Sequence, residues 1–143
     1  MFTGSIPDSI LSLDRTMRGV YLSDNQLTGT IPQELCAFGA LEALFMDTNK
    51  FSGPIPTCFG VLSELRQLYL FNNLLTGSVP SQLKELQKLS GIGLEKNNID
   101  GAVPDGVCEL ATVKQVDFWA DCAGSSPVDC PCCTVCCPGD DCV

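Results

Sequence analysis

The sequence predicts a short solenoid of stacked coils, and three observations carry that prediction. Gly-x-Ile/Val-Pro occurs five times, beginning at Gly4, Gly29, Gly53, Gly77 and Gly101, with the prolines 25, 24, 24 and 24 residues apart. Asparagine stands four residues before each of the last four glycines, at Asn25, Asn49, Asn73 and Asn97. Between the motifs, apolar residues fill fixed columns, as they do when one supersecondary unit is repeated along a chain.

The columns define each part of a coil. Ile10, Leu35, Phe59, Leu83 and Val107 follow the prolines by three residues, and Leu13, Phe38, Leu62, Leu86 and Leu110 by six. Met17, Leu41, Leu65, Leu89 and Val113 come next. Then follow Val20, Leu44, Leu68, Ile92 and Val116 and, two positions on, Leu22, Met46, Leu70, Leu94 and Phe118. A spacing of two turns both side chains to one face of a short strand. Phe2, Leu27, Phe51, Leu75 and Ile99 form a further column two residues before the glycines. The single spacing of 25 places one extra residue around Asp14-Arg15-Thr16, a tolerable loop insertion. No coil buries its apolar face alone, so the coils must stack. Five strands at about 4.8 Å spacing give a stack roughly 24 Å long. A helical bundle, the other home for so much leucine, is excluded by five evenly spaced prolines.

The pattern Leu-x-x-Leu-x-Leu-x-x-Asn-x-Leu, followed by Ser/Thr-Gly-x-Ile-Pro, resembles the plant-type leucine-rich repeat over residues 2 to about 121. The resemblance implies a leucine-rich-repeat solenoid with a parallel β-sheet on the concave face and 3-10 or loop segments on the convex side. It also implies a receptor-like or secreted protein that binds through the concave face. The asparagines are expected at strand corners, their amides bonded to backbone groups of their own loop and of the next coil. We expect residues 1–121 to form the solenoid and residues 122–143 a Cys-rich C-terminal cap. Asp121 takes the asparagine column in the last coil. The run Cys130-Pro131-Cys132-Cys133-Thr134-Val135-Cys136-Cys137 resembles the cap of algal leucine-rich-repeat proteins.

Ten cysteines point to an oxidising, extracellular or cell-surface setting. Seven of them, Cys122, Cys130, Cys132, Cys133, Cys136, Cys137 and Cys142, lie in the cap and cannot all pair with one another. If all are oxidised, one reaches Cys36, Cys58 or Cys108, and Cys108 is nearest in sequence. Cys36 and Cys58 lie 22 residues apart, at nearly the same place on adjacent coils, where a disulfide would staple coils two and three. Other states remain open: buried thiols for that pair, and a metal site or redox motif at Cys133-x-x-Cys136. The start, Met1-Phe2-Thr3-Gly4, matches only the tail of a repeat and carries no leader pattern. We therefore expect a piece of a longer protein, with Phe2, Ile6, Ile10 and Leu13 at an open edge.

Composition narrows the function. The net charge is −9, from 8 basic and 17 acidic residues, which disfavours nucleic acid and anionic membrane surfaces. No apolar run is long enough to insert this chain into a bilayer. There is no histidine, so Ser-His and Cys-His nucleophile pairs are excluded. We expect no enzyme and no cofactor. The outward concave columns read Tyr21, Phe45, Tyr69, Gly93, Asp117 and Ser23, Asp47, Phe71, Glu95, Trp119. Aromatics there are unnecessary for a core and point to recognition of a protein or peptide. The candidate site is therefore Tyr21, Phe45, Asp47, Tyr69, Phe71, Glu95, Asp117 and Trp119, with Glu42, Arg18, Arg66 and Lys114 around it. Lys84, Glu85 and Lys88 read as a solvated outer face. Two alternatives stand beside this one. A surface-binding protein for ice or cell-wall polymer would use the column Thr28, Ser52, Thr76, which Asp100 interrupts. An inhibitor of a carbohydrate-active enzyme is the other.

Overall fold

The structure is a computed structural model that describes residues 1–7, 9–10, 14–122 and 128–137. Leu13 and Cys142 lie outside the described residues. In chain order the strands are β1 (Thr3–Gly4), β2 (Gly19–Tyr21), β3 (Gln26–Thr30), β4 (Ala43–Phe45), β5 (Lys50–Gly53), β6 (Gln67–Tyr69), β7 (Leu74–Gly77), β8 (Gly91–Gly93), β9 (Asn98–Ile99), β10 (Gly101–Ala102), β11 (Asp117–Ala120), β12 (Val128–Asp129) and β13 (Val135–Cys136). Short 3-10 segments run over Gln33–Ala37, Thr57–Val61 and Ser81–Glu85, and one α-helix, α1, over Asp105–Lys114.

The chain is a leucine-rich-repeat solenoid. Strands β2, β4, β6, β8, β11 and β13 form a parallel sheet on the concave face. The Cys-rich segment thus contributes the sheet's last strand, with Trp119 paired to Val135. A second parallel sheet, β1-β3-β5-β7-β9, lies beside the first. Its strands carry the Leu27, Phe51, Leu75 and Ile99 column inward. The glycine of each Gly-x-Ile/Val-Pro motif ends this side of the coil with φ between 75° and 84°, a conformation that favours glycine. The core between the sheets and the 3-10 segments is continuous, with Phe38, Phe51, Phe59, Leu68 and Leu83 fully buried.

The corner asparagines hold adjacent coils together. Asn73 is buried; its Nδ2 donates to Leu70 O at 3.0 Å, Phe71 O at 3.3 Å and Met46 O at 3.0 Å. The Phe51 N–H donates to Asn73 Oδ1 at 3.0 Å. Asn49 and Asn97 repeat the pattern through Leu22 O and Leu70 O. The inter-coil bonds therefore run to the preceding coil, not to the next one as expected. At the residue before each asparagine the backbone is left-handed, with φ of 54° to 58° at Asp24, Thr48, Asn72 and Lys96. Thr48 is the strained member, because a β-branched residue fits this region poorly. Thr48→Asn is expected to raise stability by roughly 0.5–1 kcal/mol, read from denaturant melts.

The last coil departs from the others. Asp105 in the first turn and Lys114 in the last suit the helix dipole, and Val107, Leu110 and Ala111 bury one face of α1. Gln115 ends the helix in the left-handed region. This longer connection moves the following strand by two residues. Trp119 pairs with Gly93, an offset of 26, where Gly93 pairs with Tyr69 at an offset of 24. Three expectations are corrected in consequence. Val113 is 77% exposed and not in the core. Asp117 aligns with Gly91, while Trp119 joins the column of Tyr21, Phe45, Tyr69 and Gly93. Continuing that offset, Asp121 falls beside Glu95 and not in the asparagine column, although its Oδ2 still accepts from the Asn97 N–H at 3.2 Å.

Disulfides join Cys36–Cys58, Cys108–Cys132, Cys122–Cys136 and Cys130–Cys133. Cys137 is also disulfide-bonded. The first of these staples coils two and three, and the second ties the cap segment to α1, both as the sequence allowed. Cys133 and Cys136 go to different partners. At the N-terminal edge Phe2 is exposed and Ile6 half-buried, but Ile10 is buried, since it packs into the core with the first coil.

Candidate concave-face site

Strand alternation lifts a ladder of aromatic rings off the concave sheet. Tyr21 meets Phe45 edge-on with centroids 5.2 Å apart, Phe45 meets Tyr69 at 4.9 Å, and Tyr69 meets Phe71 at 6.3 Å. Such pairs stabilise each other by about 0.5–1.5 kcal/mol beyond area burial, so the ladder is preorganised. Exposure rises at its ends: Tyr21 is 67% and Trp119 39% exposed, while Phe45, Tyr69 and Phe71 are half-buried.

The ladder is interrupted at Gly93. This glycine has no left-handed backbone, so space is its reason. A Cβ built there would sit 3.2 Å from Phe71 Cδ1, 3.2 Å from Tyr69 Cδ1 and 3.3 Å from Glu95 Oε2. Gly91 plays the same part beneath the Tyr69 hydroxyl, 2.8 Å from its would-be Cβ. The result is a cleft of about 520 Å³ lined by Tyr69, Phe71, Asn72, Gly93, Glu95, Lys96, Asp117 and Trp119. Tyr69 and Trp119 stand on strands two apart, roughly 10 Å by sheet spacing, on either side of the missing side chain.

The structure divides the sequence-derived residues. Tyr69, Phe71, Glu95, Asp117 and Trp119 line the cleft together, whereas Tyr21, Phe45 and Asp47 do not. Asp47 and Glu95 were expected to face solvent, yet they are only 8% and 7% exposed. Neighbouring rings and coils cover them. Ser23 Oγ donates to Asp47 Oδ1 at 2.6 Å, which satisfies Asp47. Glu95 Oε2 is buried and accepts no hydrogen bond from any described residue. Burial pushes the Glu95 carboxyl above its ordinary range. Its own backbone N–H opposes that push, Asp121 adds to it, Lys96 opposes it and Asp47 adds to it.

The basic residues expected nearby are occupied elsewhere. Arg18 and Arg66 both pair with Glu42. Lys114 Nζ donates to Gln87 O at 2.8 Å and Gln87 Oε1 at 2.6 Å, on the α1 side. Asn72 and Lys96 line the cleft but were missed by sequence reasoning. Their signal was positional, since both stand just before a corner asparagine, where the left-handed backbone turns the chain beside the concave sheet.

A pH test follows from Glu95. Its folded-state pKa is raised, so the folded chain holds this proton more tightly than the unfolded chain. The stability it contributes is fully present below the unfolded carboxylate pKa and is lost as pH rises through the raised value. Glu95→Gln is expected to remove this loss. The stability of the variant relative to the parent should therefore increase from pH 4 to pH 7 in denaturant melts. An unchanged difference across that range would contradict the assignment.

Comparison with known proteins agrees with this geometry. The family model described as Leucine Rich Repeat matches residues 16–38 and 64–86. Among curated proteins, none matches the chain. Solved structures do match. The plant peptide hormone receptor RGFR1 in complex with RGF2 is 35% identical with a TM-score of 0.73, over 76% of this chain and 17% of that one. The BIR2 ectodomain from Arabidopsis thaliana is 32% identical with a TM-score of 0.70, over 73% of this chain and 54% of that one. A plant ice-binding protein is 30% identical with a TM-score of 0.78, over 90% of this chain and 39% of that one. The chain thus has the leucine-rich-repeat fold, is similar to plant receptor ectodomains and carries a disulfide-rich C-terminal region. It spans about a fifth to a half of the length of those three structures. Among the described residues, no helix is long and apolar enough to cross a membrane.

Proposed function

We propose that this chain is an extracellular recognition module that binds a peptide or protein partner across the concave face, over β6, β8 and β11. The observation that carries this reading is the cleft at Gly93. Four neighbouring coils leave no comparable gap in the aromatic column, and here three aromatics converge on a buried carboxylate. Rigid aromatic area with a polar handle is what binding hot spots use. The similarity to a peptide hormone receptor solved with its ligand supports the same class of partner. The disulfides fit an extracellular setting.

Tyr69→Ala is expected to weaken such a partner by roughly 1–3 kcal/mol. It also loses the ring contacts to Phe45 and Phe71, so the melting temperature falls by a few degrees while the chain stays folded, the ring lying outside the core. Lys88→Ala is the control: Lys88 pairs with Glu64 on the convex side and should not affect affinity. Peptides selected from a random library on the immobilised 143-residue chain supply the partner for this test. Affinity that survives both Tyr69→Ala and Phe71→Ala would exclude the concave site.

A second reading has one observation in its favour. Thr28 and Thr76 are exposed and Ser52 half-buried along the second sheet, and one similar structure is an ice-binding protein. Asp100 breaks this column, and the array is short. An ice-recrystallisation assay separates the readings, since activity unaffected by Tyr69→Ala would favour the second sheet.

A further inference from the structure

We propose that the cleft at Gly93 is a subsite for a single arginine side chain of a peptide partner, its guanidinium seated on the Glu95 carboxylate between Tyr69 and Trp119. This rests on the concave-face reading above and names the chemistry it recognises. Three independent features converge on a cation. Glu95 is buried, lines the cleft and has an oxygen that accepts no hydrogen bond from any described residue. A buried carboxylate left unpaired is unfavourable, and pairing with a charged donor relieves it. The walls are the aromatic side chains of Tyr69, Phe71 and Trp119, and such rings attract cations through their quadrupoles. Asp117 adds a second carboxylate at the rim against the single cation of Lys96, and the chain as a whole carries a net charge of −9.

The shape selects among cations. The space exists because Gly93 has no side chain, so the opening is a slot one residue wide between two rings. A planar guanidinium can stack on aromatic faces and donate at its edge to a carboxylate at once. A compact ammonium offers only a point charge. Burial holds the proton affinity of Glu95 above the ordinary carboxyl range, and a cation set on this carboxyl lowers it again.

Trp119 is the sole tryptophan of the sequence, so its emission reports on this wall alone. Acetyl-Gly-Arg-Gly-amide titrated into the 143-residue chain is expected to change that emission saturably. The citrulline peptide, neutral and nearly the same shape, should bind at least about tenfold more weakly, and the lysine peptide should fall between them. Glu95→Gln should lose roughly 10- to 100-fold in arginine-peptide affinity without a lower melting temperature. Gly93→Ala should abolish binding by placing a methyl where Tyr69, Phe71 and Glu95 meet. No saturable response to the arginine peptide, equal binding of the citrulline peptide, or unchanged affinity in Glu95→Gln would each overturn the proposal. If arginine and citrulline peptides bind equally and Tyr69→Ala removes both, the concave-face reading stands and the arginine subsite falls. If a library-selected peptide binds and ignores Tyr69→Ala, it is the concave-face reading that fails.

Discussion

Asn73→Ala is expected to destabilise the protein by about 2–4 kcal/mol, more than the loss of one exposed polar side chain would suggest. The Asn73 amide serves four backbone groups on two coils. Removing it strands the Phe51 N–H inside a corner where water has little access, and it takes one of two amide donors from each of the Met46 and Leu70 carbonyls, which keep only Asn49 and Asn97. Asn25 is the internal control. It donates to Leu22 O and Ser23 O of its own coil and accepts from Phe2 N at the exposed edge. Asn25→Ala should therefore cost only about 1 kcal/mol. Equal effects at the two positions in denaturant melts would contradict the inter-coil role of the ladder.

Reduction is expected to loosen the C-terminal coil before the centre. Cys108–Cys132 closes a separation of 24 residues and Cys122–Cys136 one of 14, and loops of that size contribute about 3 kcal/mol each. These bonds tie Cys132 and β13, through Cys136, to α1 and to the chain just after β11. The central coils carry one cystine, Cys36–Cys58, but keep Leu68, Leu70, Leu75 and Leu83 fully buried, so apolar packing holds them when it is reduced. Amide exchange in reductant should thus accelerate first beyond about residue 108 and only later from Leu68 to Leu75. Simultaneous release of both regions would show that the cystines hold the whole stack.

The repeat made the solenoid legible because each column reports a burial requirement. Leu44, Leu68 and Ile92 alternate with ring positions, so the concave strands followed from a period of two. The second sheet did not follow. Leu27 and Phe51 are each the only buried residue of their strand, and one apolar residue has no period. The register change in the last coil was equally hidden. Val113 and Val116 satisfy the column spacing in sequence, and only the length of α1 decides that Val116 is buried and Val113 exposed.

The aromatic ladder was readable for the same reason that the strands were. The gap at Gly93 was visible as a glycine in an aromatic column, but its meaning depended on where Trp119 lies. Counting repeats put Trp119 one column away, and pairing with Gly93 makes it the second wall. Sequence spacing also cannot say that Asp47 is satisfied by Ser23 while Glu95 Oε2 is not. Both occupy the same column, and the difference arises from what the neighbouring coil offers.

The central claim is that recognition occurs on the concave face around Gly93. The most direct measurement is amide chemical-shift mapping of the chain with a library-selected peptide, resolved by residue. The account predicts perturbations clustered at Gln67–Tyr69, Gly91–Gly93 and Asp117–Ala120, centred on Gly93 and absent from Ser81–Glu85 on the convex side. Perturbations centred on the second sheet, from Gln26–Thr30 to Leu74–Gly77, with Gly93 unmoved, would contradict it.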